Sequence, residues 1–501
     1  MLTVPLFVEL LRTRPALLVA AAALAQAALW TLVPVLFYSA PPPALAEVLA
    51  FGREFQLGGD LGPPLAQWLA ELAFRIGGLF GVYLLSQACV VTTYLAVFAL
   101  GRRIVGDSHA AIAVLLMAGI AAFTVPTPDF GPGVLAMALW ALALLLYGRA
   151  MFEQRRTSWI ALGAAIGLLL YTTTTGLVLF ALLLAFTLSS ERGRAQLTHI
   201  EPWIGGVVAV LIFFPSLIWL DQTGGVSFES FASIDDNVRA WARMIAVLVA
   251  GHAGLAVLVA LAYGVPFRRR RPVPQLERAA VDPEARRFVY VFALAPALAV
   301  LALAPFISRP DAFVAQPLVV LSGVAVVVAA GDRIRLTHHG LMRYAWIGLL
   351  ALPPLLTAAV VLMPRTFGVD LAVGRPAAEM GRFFGEDFAR RTGRPLSIVA
   401  GEPRTAALIA IAAPSRPSLF LDAAPERTPW VTRQDIAENG ALVVWPTTDT
   451  RGAPPAAIRE RFPGLANEVP RVFERRFGGG PAVRIGWGVI RPRAAGPPPV
   501  R

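Results

Sequence analysis

The chain has 501 residues, 56% of them hydrophobic and only 15% charged, with a formal net charge of +12. That is too apolar for a soluble globular protein and too long for one simple domain, which excludes most soluble-enzyme classes. The positive charge invites a nucleic-acid partner, but the arginines lie in alternate loops between apolar runs rather than on one basic face, so that reading is set aside.

From the N-terminus, eleven separated apolar stretches approach membrane-spanning length: 15–39, 80–100, 109–125, 131–150, 158–172, 175–189, 202–220, 242–265, 288–307, 313–331 and 342–363. The stretch 158–189 also reads as one kinked hairpin. The first run is longer than a signal-peptide core, so 15–39 is expected as a retained helix rather than a leader cleaved after Ala44, Leu45 and Ala46. Arginines mark every second loop, at Arg102 and Arg103, Arg149 to Arg156, Arg192 and Arg194, Arg268 to Arg287, and Arg333 to Arg343. The loops between them carry mostly acids. Positive-inside bias therefore predicts a cytoplasmic N-terminus and, after eleven spans, a C-terminal domain outside the membrane. The run Arg268 to Arg271 reads as a topology signal with anionic lipid contact.

All 44 basic residues are arginine, which fits a GC-rich bacterial genome and excludes a lysine nucleophile. The single cysteine, Cys89, lies inside a span, so neither an intrachain disulfide nor a cysteine metal site is expected. His252, alone in an apolar span, is expected as a hydrogen-bonded packing residue.

Beyond residue 363 the pattern changes. A helix is predicted near 376–392, where Met380, Phe383, Phe384 and Phe388 fall at helical spacing, and a second at 404–413. Short strands are predicted at Leu396–Ala400, Ser418–Leu421, Ala441–Val444 and Ala482–Ile490. The fold class is thus an α-helical polytopic membrane protein, residues 1–363, followed by a small α/β domain, residues 364–501, of about four strands.

Candidate chemistry lies in the acidic loops. The first, 40–79, holds Glu47, Arg53, Glu54 and Asp60 ahead of an amphipathic stretch, 64–76. There Leu65, Trp68, Leu69, Leu72 and Phe74 are available to lie in the membrane interface. Asp129 precedes the fourth span, where it either caps that helix or serves a site. Arg239, Arg243 and Arg309 are the remaining basic residues on that side.

The order of these features resembles glycosyltransferase family 39, the polyprenyl-phosphate-sugar-dependent membrane enzymes that include protein O-mannosyltransferases and lipid A aminoarabinose transferases. The pieces that carry the resemblance are Asp60 to Leu65, Thr127 to Asp129 opening the span with Ala138 to Leu144, Trp159 to Leu170, Phe214 to Trp219 leading to Gly225 to Phe228, and tail segments including Arg391 to Leu396 and Ala413 to Ser418. The resemblance implies a GT-C-like fold and a periplasmic active site in a bacterial inner membrane. The sugar donor is a polyprenyl phosphate and the acceptor a lipid, polysaccharide or protein, with no cofactor or metal. The family's acidic pair aligns with Ala44 and Leu45, its basic residue after the fifth span with the run Thr172 to Thr175, and its late-span Lys and Asn–His–Trp features with Ala315 to Pro317.

Such chemistry needs a carboxylate to deprotonate the acceptor hydroxyl and guanidinium groups for the lipid phosphate. Glu47 or Asp60 is the expected base, with Asp129 orienting or sharing the site; Arg53, Arg239, Arg243 and Arg309 are the expected phosphate partners. The rival classes are a lipid or sugar transporter, disfavoured by charge-poor spans and the lack of a repeat, and a family relative that keeps the fold without activity.

Overall fold

The computed structural model describes residues 6–59, 61–125, 128–222, 234–263, 275–304, 314–335, 339–421, 428–476 and 480–493. Asp60, Arg309 and the Arg268 to Arg271 run lie outside the described residues.

Seven of the described helices are long and apolar enough to cross a membrane, and they fall on seven of the eleven expected spans: Pro15–Phe37, Leu65–Val105, Pro132–Phe152, Glu201–Trp219, Trp241–Ala262, Pro283–Leu303 and Gly340–Leu362. The other four expected spans are shorter apolar helices. The first, Asp107–Met117, stops where the chain turns through Ala118–Ile120 into the single turn Ala121–Thr124. Thr157–Leu170 and Gly176–Ser189 are separate helices joined through Thr172 to Thr175, where the hydroxyl of Thr172 donates back to the Leu168 carbonyl. The last, Gln316–Ala329, begins with a 3-10 turn.

By its contacts the chain divides into two compact units: residues 1–32 with 82–355, and residues 33–81 with 356–501. In the first unit the Thr157–Leu170 helix runs against Glu201–Gln222. A side chain at Gly163 would place its Cβ 2.0 Å from the Gly205 carbonyl oxygen, so the two backbones touch, the small-residue packing that lets helices associate without a hydrophobic driving force. Tyr147 stacks on Phe288 with ring centroids 5.9 Å apart, and its hydroxyl pairs with that of Thr187 at 2.8 Å. His252 uses both ring nitrogens, on the Leu248 carbonyl at 2.7 Å and the Ser322 hydroxyl at 3.0 Å, as expected of a packing residue. Strands β1 (Gln275–Glu277) and β2 (Arg333–Arg335) form a small antiparallel pair.

The second unit is an α/β domain built on β3 (Ile398–Gly401), β4 (Ser418–Leu421), β5 (Ala441–Pro446), β6 (Ala466–Asn467), β7 (Arg471–Phe473) and β8 (Val483–Ile490). β3 sits between β4 and β5, parallel to both; β8 runs antiparallel to β5 and carries β6 and β7 on its other edge. The predicted positions of four strands match β3, β4, β5 and β8; the sheet has six because two very short strands pair with β8. All four residues of β3 are buried, as a parallel strand covered on both faces requires. On one face Ile398, Ala400, Phe420, Val443 and Trp445 pack with Val431 and Phe462. Pro403–Ala412 packs against the sheet, and Ala377–Thr392 packs on that helix and meets the sheet through Phe383 and Phe384 on Phe473 and Trp487; the two helices lie close to the predicted 404–413 and 376–392.

The 40–79 segment is part of this same unit. The N–H groups of Ser39 and Ala40 both donate to the Val373 carbonyl at 2.9 Å. The helix Pro43–Gly52 packs along Pro403–Ala412, and the Phe51 ring meets Trp430 edge-on at 5.2 Å. Residues 65–76 form the first part of the Leu65–Val105 helix, which is broken at Gly77 and Gly78, the latter at φ +58.

Candidate functional site

The buried face of the 65–76 helix consists of Ala66, Gln67, Ala70 and Glu71, all under 5% exposed, whereas Leu72 and Ile76 are 52% and 80% exposed. The helix therefore turns small and polar residues toward the protein and Leu72 and Ile76 outward, with Leu65, Trp68, Leu69 and Phe74 half-buried between them. Its approach to the Pro43–Gly52 helix is permitted by Gly52: a Cβ there would stand 2.3 Å from the Gln67 carbonyl oxygen and 3.1 Å from the Glu71 Cβ. Gly52→Ala is accordingly expected to force the two helices apart, at a cost of at least about 2 kcal/mol. The check is thermal unfolding of the detergent-solubilised protein; an unchanged midpoint would disprove the close contact.

Glu71 is the centre of what Gly52 admits. One carboxylate oxygen accepts from Arg75 Nε at 2.9 Å and the other from Arg416 Nη2 at 2.7 Å. The Glu71 side chain is 4% exposed and that of Arg416 22%, whereas Arg75 is 56% exposed. Each guanidinium also lies on a ring, Arg75 over Phe55 at 5.0 Å and Arg416 over Phe74 at 4.5 Å, an arrangement that holds a planar cation in place. Both Phe55 and Arg416 have left-handed backbones, at φ 47 and φ 50. Such strain in non-glycine residues persists only where the surroundings impose it.

Arg53 and Glu54 follow Gly52 directly and complete the cluster. Burial pushes the Arg53 pKa below its usual value; Glu54 and Glu71 oppose that shift, while Arg416 and Arg75 add to it. Among the described residues, three cations thus face two carboxylates. Arg53 Nη1, Arg416 Nη1 and Glu54 Oε1 are closed off from solvent and have no hydrogen-bond partner among the described residues. A buried donor left unmatched is costly, and two guanidinium donors in that condition favour an anion.

Of the residues expected from sequence, Glu47 is half-buried on the Pro43–Gly52 helix, in the same unit as Arg53. Asp129 belongs to the first unit, half-buried ahead of Pro132–Phe152. The N-cap residue of that helix is Gly131. Arg239 and Arg243 are exposed on Ile234–Gly251 in the first unit. Also in that unit, Val314 N–H, next to Ala315 to Pro317, donates to the Thr175 hydroxyl at 3.2 Å, while Gln316 packs on Gly133. Sequence reasoning missed Glu71, Arg75 and Arg416. The only signal was Glu71 and Arg75 at i, i+4, a common surface pair.

Residues 62–219 match the family model described as dolichyl-phosphate-mannose-protein mannosyltransferase. No curated protein matches by sequence. Among solved structures, ArnT from Cupriavidus metallidurans, crystallised with undecaprenyl phosphate, is similar at 14% identity over 96% of this chain and 99% of that one, with a TM-score of 0.58. The oligosaccharyltransferase AglB from Archaeoglobus fulgidus, solved with an inhibitory peptide and a dolichol-phosphate, aligns at 12% identity over 87% and 70% of the two chains, with a TM-score of 0.44. The ArnT likeness extends over nearly the whole chain and is one of fold. In fold and in the matched segment, the chain is similar to the polyprenyl-phosphate-sugar-dependent membrane glycosyltransferases of family 39.

Proposed function

We propose that this chain is a membrane glycosyltransferase that moves a sugar from a polyprenyl-phosphate donor to a cell-envelope acceptor on the periplasmic face of a bacterial inner membrane. The observation that carries the reading is the Arg53 guanidinium, half-buried in a group that among the described residues has one excess positive charge, with Nη1 shielded from water and unmatched there. A lipid phosphate supplies the anion such a group favours, and the apolar outward face of the 65–76 helix suits the lipid chain. The likeness in fold to ArnT, crystallised with undecaprenyl phosphate, supports the same donor class.

In the reaction, the acceptor hydroxyl oxygen forms a bond to the anomeric carbon as the bond from that carbon to the phosphate oxygen breaks. The departing electron pair stays on the lipid phosphate, which gains a second negative charge, and the hydroxyl proton passes to a carboxylate. One in-line displacement inverts the anomeric centre. Glu47 is the base proposed from the described residues, Asp60 the alternative, and Asp129 the orienting carboxylate. Arg53 receives the phosphate charge, with Arg239, Arg243 and Arg309 as further partners.

Mass spectrometry of envelope lipids and polysaccharides from a strain lacking the gene tests this reading. A sugar-sized mass is expected to disappear and to return with the wild-type gene but not with Glu47, Asp60 and Asp129 all replaced by alanine. Its return with the triple variant would move the base elsewhere, and no change on deletion would overturn the transferase reading.

A further inference from the structure

Arg416 belongs to the C-terminal α/β domain, 345 residues from the glutamate it pairs with. It follows the Pro403–Ala412 helix, just ahead of β4. Yet its guanidinium lies in the 40–79 segment, on Phe74 and Glu71. A purely structural role in tying the two segments together would be complete with the Glu71 ion pair and the Phe74 ring. Two features exceed that role. The backbone of Arg416 is left-handed at φ 50, a conformation an arginine adopts at a cost. In addition Nη1, the terminal nitrogen that Glu71 does not use, is shielded from solvent and unmatched among the described residues, as is Nη1 of Arg53. The two arginines are also near enough for the charge of Arg416 to act on Arg53. Like charges placed together at half-buried positions repel, and an anion held by both relieves that repulsion.

We infer that Arg416 is a second phosphate ligand beside Arg53, so that the C-terminal domain contributes directly to binding the lipid phosphate. This rests on the proposed function. Glu71 is the positioning residue: it occupies Nη2 and leaves Nη1 for the ligand, while the Phe74 ring fixes the plane of the guanidinium. Arg75, more than half exposed, neutralises the second Glu71 oxygen and is not a ligand. The tail is then neither a passive cover nor only an acceptor-recognition module, because the phosphate site is incomplete without it.

The test uses the full-length protein in detergent, with a short-chain polyprenyl monophosphate as the probe and the uncharged polyprenol as control. Wild type is expected to bind the phosphate and not the alcohol, and Arg416→Gln to weaken binding about tenfold or more, the scale of one charge-assisted hydrogen bond. Arg416→Lys, which keeps the charge and loses the fork, is expected to fall between them. Should Arg416→Gln fail to fold, wild-type protein answers alone. Peptide-mapped phenylglyoxal labelling of Arg416 is expected to drop when the polyprenyl monophosphate is added, while inorganic phosphate protects only at far higher concentration. Binding by wild type with Arg416→Gln equally tight, or Arg416 labelling unchanged by the probe, overturns the inference and leaves the proposed function standing. Failure of wild type to bind the probe overturns both.

Discussion

Replacing Arg53 with glutamine is expected to lower sugar transfer by about two orders of magnitude and to leave the protein about as stable as before. The two effects have one cause. Arg53 is a partly desolvated cation that Arg416 and Arg75 further disfavour, and its Nη1 has no partner among the described residues. In the ligand-free protein its removal ends the desolvation and the repulsion from Arg416 and Arg75 at the cost of the attraction to Glu54 and Glu71, and it breaks no ion pair among the described residues. In the proposed reaction the lipid phosphate goes from one negative charge to two as the sugar leaves. A guanidinium on that phosphate therefore binds the transition state more tightly than the ground state, and its loss appears in kcat more than in KM. Removing one preorganised donor from developing charge costs on the order of a hundredfold or more. Steady-state transfer and thermal unfolding measured on the same preparation check both halves. If activity and stability fell together, Arg53 would be a structural cation rather than one held ready for a ligand.

Much of the architecture was legible because it follows from local pattern. The Ala377–Thr392 helix announces itself by Met380, Phe384 and Phe388, all fully buried, and β4 lies where its apolar run predicts, at Ser418–Leu421. β6 and β7 were not legible, since strands of two and three residues have no period of their own and exist because β8 offers an edge. Apolarity alone overestimated one span: nothing in the composition of 109–125 says that its helix ends at Met117. Within the site, Arg53 was legible as a basic residue in an acidic loop. Glu71 was not. Leu65, Trp68, Leu69, Leu72 and Phe74 are readable as candidates for the membrane interface, but that reading does not single out Gln67 and Glu71 as the polar stripe buried in the protein. Arg416 stood in a tail segment noted only for family resemblance. Its partner lies 345 residues away, a pairing that a single sequence does not encode in any local pattern.

Glu71→Gln is expected to have the opposite profile to Arg53→Gln, with stability as the first loss. The substitution keeps the volume and removes the charge that two guanidinium groups share. Left behind are Arg53, Arg75 and Arg416 with Glu54 as the remaining counter-charge of the cluster. Removing one partner of a fully buried ion pair costs about 3–5 kcal/mol. Here Arg75 is 56% exposed and rehydrates easily, while Arg416 at 22% does not, so about 2–3 kcal/mol is the expected cost. For a unit of this size that corresponds to a fall in Tm of roughly 5–10 °C. Hydrogen exchange is expected to rise first in peptides from Pro43–Gly52 and 65–76, the two elements the cluster joins. The electrostatic origin has its own check. Adding Arg416→Gln to Glu71→Gln removes the stranded cation, so the double variant is expected to be more stable than Glu71→Gln alone, a non-additivity that distant sites do not show. A double variant that simply sums the two single losses would mean that Glu71 acts by packing alone. The three arginines would then not be a group that a buried carboxylate assembles.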